Sequence, residues 1–168
     1  MAQDNLQGNA AESADFEDPD SFQIVSQGQS LTFLPGGTAR RENLMALVRS
    51  AERSIQLCFY IFLEDRIGTE LRDALVEAAH RGVTVDLIVD SFGANVSDRF
   101  IAPLIEAGGG YCCFSPRWTQ RYLIRNHQKM VVADGTRAMF GGFNIADSYF
   151  AAPGEDGWND LAVSIEGD

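Results

Sequence analysis

Two segments of this chain, Ile55 to Phe62 and Val83 to Val89, are nearly unbroken runs of strand-forming apolar residues. Runs of that length and composition suit strands buried on both faces. Between them Ile67, Leu71, Ala74, Leu75, Ala78 and Ala79 stripe one face of a helix, and Gly82 follows as a stop. A strand, a helix and a strand at this spacing predict a right-handed crossover and parallel pairing.

The same cycle extends in both directions. Leu44, Leu47, Val48 and Ala51 recur at helical intervals, which predicts a helix from about Thr38 to Ala51 behind LTFL and a Pro35-Gly-Gly37 turn. A third helix is expected from Asp98 to Ala107, closed by Gly108-Gly109-Gly110, and Tyr111 to Phe114 reads as a short strand. Beyond Phe114 the helical spacing fades, and His127–Val132, Arg137–Phe140 and Leu161–Ile165 read as further strands. The expected class is therefore α/β, with a mixed, mostly parallel sheet flanked by helices on both faces. Residues 1–28 are expected to form an acidic disordered tail and residues 29–168 a single domain, which the length of 168 residues accommodates.

Charge narrows the function. The net charge is −11, of which residues 1–20 supply six acids and no base, leaving 18 acids against 13 bases in the remainder. An acidic surface argues against nucleic acid as the main partner but leaves room for a small basic pocket. No stretch approaches the roughly 20 apolar residues of a membrane-spanning helix, and the N-terminus lacks the basic and apolar regions of a secretory signal. Cys58, Cys112 and Cys113 are an odd number without metal-like spacing, which fits a reducing compartment. Cys112 and Cys113 are expected as a buried strand pair.

The chemistry concentrates in Arg125-Asn-His-Gln-Lys-Met-Val-Val-Ala-Asp134 and Gly141-Gly142-Phe143-Asn144. On a strand, residues two apart face the same way, so His127 and Lys129 would project together. Gly141 and Gly142 allow close backbone approach, and Asn144 adds an amide donor. A histidine, a lysine, an amide and exposed N–H groups converging on one point suit a phosphate ester. Asp134 reads equally as a turn residue before Gly135, and Asn144 as a helix cap. Arg117, Arg121 and Arg125, with Trp118 and Tyr122, form either a cationic rim for anionic headgroups or a solvated loop. Asp90, at a strand's C-terminal end, sits where open α/β sheets bind ligands, although a plain strand-end acid is the simpler reading.

The spaced pattern His127-x-Lys129-x4-Asp134-x6-Gly141-Gly142-x-Asn144 resembles the HKD motif of the phospholipase D superfamily. A chance match over these six positions is roughly a one-in-a-hundred-thousand event at average residue frequencies. YIFLEDRIGTELRDALVEAAHRGV, VDLIVDSFGA, Gly142 in place of a more usual serine, and Trp158-Asn159-Asp160 resemble most the amino-terminal half of bacterial cardiolipin synthases. The resemblance implies a two-step phosphatidyl transfer through a phosphohistidine, with no cofactor and no metal. His127 would attack phosphorus, and Lys129 and Asn144 would stabilise the added negative charge. A carboxylate would hold the far ring nitrogen, with Asp160 the first candidate and Glu155 the second. Asp134 would complete the motif, Gly141 and Gly142 would support it, and Arg121, Tyr122 and Arg125 would bind substrate. The implied partners are an anionic phospholipid and the surface of the cytoplasmic membrane, at which the protein would be peripheral.

Members of this superfamily join two HKD motifs, in one chain or across a dimer. Here His127 alone lies in such a motif; His80, at a helix end, reads as a cap for the last turn. The expectation is a partial chain whose second half is absent and which needs that half in cis or a homodimer partner. Two other readings stay open: a homodimeric phosphodiesterase or nuclease of the same superfamily, and an inactive headgroup-binding fragment.

Overall fold

The computed structural model describes residues 19–115 and 126–167. Eight strands form one sheet in the order β1-β2-β8-β7-β6-β3-β4-β5. In chain order these are β1 (Phe22–Ser26), β2 (Gln29–Leu34), β3 (Ser54–Phe59), β4 (Thr84–Asp90), β5 (Gly110–Phe114), β6 (Met130–Ala133), β7 (Arg137–Gly141) and β8 (Ala162–Glu166). Three helices, α1 (Gly37–Arg49), α2 (Arg66–His80) and α3 (Asp98–Glu106), accompany them, with one 3₁₀ turn at Asp147–Tyr149.

The mixed α/β architecture agrees with the sequence pattern, and the helices fall within a few residues of their expected bounds. Their starts have local causes. Asp65 caps α2 by accepting from the Gly68 N–H at 2.9 Å, and Ser97 caps α3 by accepting from Phe100 N–H at 3.2 Å. Ile67, Leu71, Ala74, Leu75 and Ala78 of α2 are buried against Val85, Leu87 and Val89 of β4 in one apolar core.

Four expectations are corrected. The sheet is not mostly parallel: only β3–β4 and β4–β5 run parallel, against five antiparallel pairings. The reason is that β6, β7 and β8 return as a meander inserted between β2 and β3. Nor do the helices among the described residues cover both faces. From β2 through α1 to β3, then to β4 and β5, every crossover moves in one direction along the sheet. Right-handed crossovers that never reverse direction put their helices on one side, and α2 accordingly packs between α1 and α3. The other face carries Phe140 and Ile88, 42% and 39% exposed, and an open groove of about 480 Å³ lined by Gln56, Cys58, Ile88, Cys112 and Met130.

The third correction concerns residues 22–28, placed in the tail by their polar setting. They form β1 and the turn into β2, with Gln27 and Gly28 both at positive φ (53° and 80°). That is the two-residue geometry whose twist matches a hairpin. Cys112 and Cys113 are also not buried; β5 is an edge strand and leaves both exposed.

Candidate active site

The site assembles where four stretches of irregular backbone meet at one end of the central strands. His127, Gln128 and Lys129 precede β6 rather than lying on it. The expected juxtaposition still forms. Lys129 Nζ lies 3.2 Å from His127 Nδ1 and 3.5 Å from Nε2, and donates to the His127 carbonyl at 3.0 Å. His127 is exposed, whereas Lys129 is only 9% exposed. Burial pushes the Lys129 ammonium below its ordinary value, and the Asp160 carboxylate pushes the other way.

The floor of this pair is Tyr60, the residue after β3. Its ring centre is 4.7 Å from that of His127 at an interplanar angle of 50°, and Lys129 Nζ stands 5.7 Å above it. Both geometries are favourable for an aromatic face beside a cation and an imidazole. Tyr60 was not singled out in the sequence, because as the aromatic end of an apolar run it looks like core.

Asn144 is 2% exposed, and both ends of its amide are hydrogen-bonded. Its Oδ1 accepts from Ile61 N–H at 3.0 Å and its Nδ2 donates to the Tyr149 hydroxyl at 3.0 Å. These bonds tie the Gly141–Asn144 segment to Ile61, the residue next to Tyr60. Gly141 is required by crowding, since a Cβ there would overlap the Leu161 carbonyl, whereas a Cβ at 142 would meet only the Asp160 carboxylate, which would have to swing aside. Asp160 therefore lies against Gly142 and within electrostatic reach of Lys129, its Oδ1 accepting from Leu161 N–H at 3.1 Å. Among the described residues no carboxylate is hydrogen-bonded to the His127 ring. Glu155 is exposed and turns back to accept from Ala152 N–H at 2.9 Å, so the structure does not bring it to the histidine.

Asp134 stands at the far end of β6. Its carboxylate accepts from the backbone N–H groups of Glu52, Arg53 and Ser54 at 3.1, 2.7 and 3.1 Å and pairs with Arg137 at 2.6 Å. Burial alone would raise this carboxyl, but these donors outweigh it and hold the group well below the usual carboxylate range. The catalytic assignment of Asp134 is corrected: it fastens the α1–β3 connection, about 16 Å along the chain from Lys129 at strand spacing. Arg121, Tyr122 and Arg125, with Arg117 and Trp118, lie outside the described residues.

A family model described as the PLD-like domain of cardiolipin synthase matches residues 44–163. The chain belongs to this family. Relatives of the PLD-like domain include the major cardiolipin synthase ClsA of Bacillus subtilis, 31% identical over 150 residues that cover 86% of this chain and 31% of that protein. A cardiolipin synthase of Clostridium perfringens is 37% identical over 131 residues, covering 75% of this chain and 28% of the relative. The chain thus spans about three-tenths of the length of these relatives. In fold it is similar to Nuc of Salmonella typhimurium, a phospholipase D family member, with a TM-score of 0.60 at 24% identity over 83% of this chain and 82% of that one. It is also similar to a phosphatidylserine synthase of Haemophilus influenzae, with a TM-score of 0.69 at 17% identity over 87% and 34%. No helix among the described residues is long and apolar enough to cross a membrane.

Proposed function

We propose that this PLD-like domain is one half of a phosphatidyl-transferring site of cardiolipin synthase type. The observation that carries the reading is the exposed His127 imidazole packed on the Tyr60 ring beside the Lys129 ammonium, with one ring nitrogen 3.2 Å from Nζ. In this proposal a ring nitrogen of His127 bonds to the phosphorus of phosphatidylglycerol, and the bond from phosphorus to the glycerol oxygen breaks. Glycerol leaves with a proton from the histidine of a second HKD half. A hydroxyl of another phosphatidylglycerol then attacks phosphorus, gives its proton to that second histidine, and releases His127.

Lys129 supplies the fixed positive charge beside the five-coordinate phosphorus. The Asp160 carboxylate opposes the effect of burial on that ammonium. Asn144, Gly141 and Gly142 shape the wall, and Arg121, Tyr122 and Arg125 are assigned to the anionic headgroup. The domain spans the hairpin at Phe22 to β8, the protein acts peripherally on an anionic membrane surface, and the second half comes in cis or from another copy.

The test is glycerol release and cardiolipin formation in phosphatidylglycerol micelles, by the chain alone and with the second half of a relative supplied. Glycerol release with the second half present, abolished by His127→Ala in a folded variant, is the expected result. Activity retained by His127→Ala would remove this histidine from the reaction. Release of phosphatidic acid by the chain alone, as a dimer, would favour a phosphodiesterase with one motif per chain.

A further inference from the structure

Asp90 is a carboxylate with no exposed surface at all. It closes β4, and no cation among the described residues pairs with it. A charge buried in this way is costly unless hydrogen bonds replace the lost water. Both of its oxygens are occupied by backbone. Oδ1 accepts from Phe92 N–H at 2.9 Å, and Oδ2 accepts from Asn126 N–H at 2.7 Å.

Each bond leads to a different side of His127. The first, with the Ala94 N–H donating to the Asp90 carbonyl at 2.9 Å, fixes the turn that carries Gly93. That glycine is pressed against Tyr60; a Cβ there would overlap the Tyr60 carbonyl and come within 3.0 Å of its ring. The turn therefore backs the aromatic floor on which the imidazole rests. The second bond holds the residue immediately before His127. Asn126 passes the constraint on: its Oδ1 accepts from Gln128 N–H at 3.2 Å and its Nδ2 donates to Cys58 Sγ at 3.0 Å. The backbone is thus anchored on both sides of the histidine although no strand includes it.

We propose that Asp90 is a positioning residue for His127, one oxygen holding the turn behind Tyr60 and the other the backbone next to the imidazole. Its role as a strut rests on the reading of His127 as the nucleophile, but the geometry it enforces is measurable without turnover. Asp90 does not reach substrate, since it is sealed from solvent and both oxygens are engaged.

The chain has two histidines, so the ring-proton signals of His127 are identified by comparison with a His80→Gln variant. In the unmodified chain His127 carries the ring-current shift of Tyr60 and a nuclear Overhauser contact to it. Asp90→Asn keeps the shape but offers one acceptor where two N–H groups need one. The expected result is loss of the His127–Tyr60 contact and collapse of the His127 signals to free-imidazole positions, with His80 unmoved. Asn126→Pro deletes the same N–H from the loop side, together with the Asn126 side-chain bonds to Gln128 and Cys58, and leaves Asp90 in place, so a folded form of it that keeps the contact overturns the proposal even should Asp90→Asn fail to fold. A folded variant of either kind that keeps the contact at full strength overturns the proposal. With glycerol release as a second readout, kcat falls on the order of 10²-fold with little change in KM, as for a misplaced reacting group. If His127→Ala stays active while Asp90→Asn frees the ring, the proposed reaction fails and the strut stands.

Discussion

Replacing Asp134 separates the architectural and chemical parts of the motif. Its carboxylate receives three backbone N–H groups and the Arg137 guanidinium. Hydrogen bonds to a charged group contribute about 1.5–3 kcal/mol each, but the freed N–H groups border solvent and recover part of that, so Asp134→Ala should cost about 3 kcal/mol. For a fold of this size that lowers Tm by about 6–12 °C, read by circular dichroism at neutral pH. The pH dependence fixes the cause. Because the carboxyl is depressed in the folded state, its stabilisation is complete above about pH 4 and is lost as pH falls through the lower folded value. The gap in Tm between the unmodified chain and Asp134→Asn should therefore narrow steadily on acidification below about pH 4. His127 ring signals should stay in place in both variants. A Tm within 1 °C of the unmodified chain, or a gap that acid does not change, would refute this account.

Arg40 is 2% exposed and its guanidinium donates to the carbonyls of Leu34, Pro35, Tyr149, Trp158 and Asp160. Arg40→Lys cannot reproduce this fork and should destabilise by about 2–3 kcal/mol in urea titration; a loss under 1 kcal/mol would contradict it. Lys129 is the only lysine in the chain, so reductive methylation with ¹³C reports its titration directly. It should deprotonate below the ordinary lysine value, and the proposed transfer should decline as pH rises through that point; an ordinary lysine titration would count against its burial. Asp160→Asn removes the charge that raises Lys129 and should move the same titration further down. An unmoved signal would show that Asp160 does not govern the ammonium.

The buried crossover was readable because apolar side chains recorded it: Val85, Leu87 and Val89, and the α2 stripe from Ile67 to Ala78, are core in the structure. β1 left no such record. Phe22, Ile24 and Val25 stay exposed, and the strand is held by backbone pairing to β2 and by Phe22 stacking on Phe33 at 4.7 Å, partners that no side-chain period names. The share of parallel pairing was likewise hidden, since a short apolar run such as Met130–Ala133 looks alike in either direction. At the site, the spacing of His127 and Lys129 carried the chemistry into view. Tyr60 and the destinations of Asn144, Glu155 and Asp134 did not show, because each depends on a partner far away in sequence.

β6 fills the whole interval between Lys129 and Asp134. The interval between the two motif residues is a measurement of strand length, fixed by the need to plug the α1–β3 corner at one tip while delivering an ammonium at the other. Inserting a single residue there would invert the inward and outward sides of the strand, so Val131 and Ala133 would face the groove while Lys129 lost its seat. A chain could keep this ruler after its chemistry had lapsed, and an intact Asp134 attests to the frame alone.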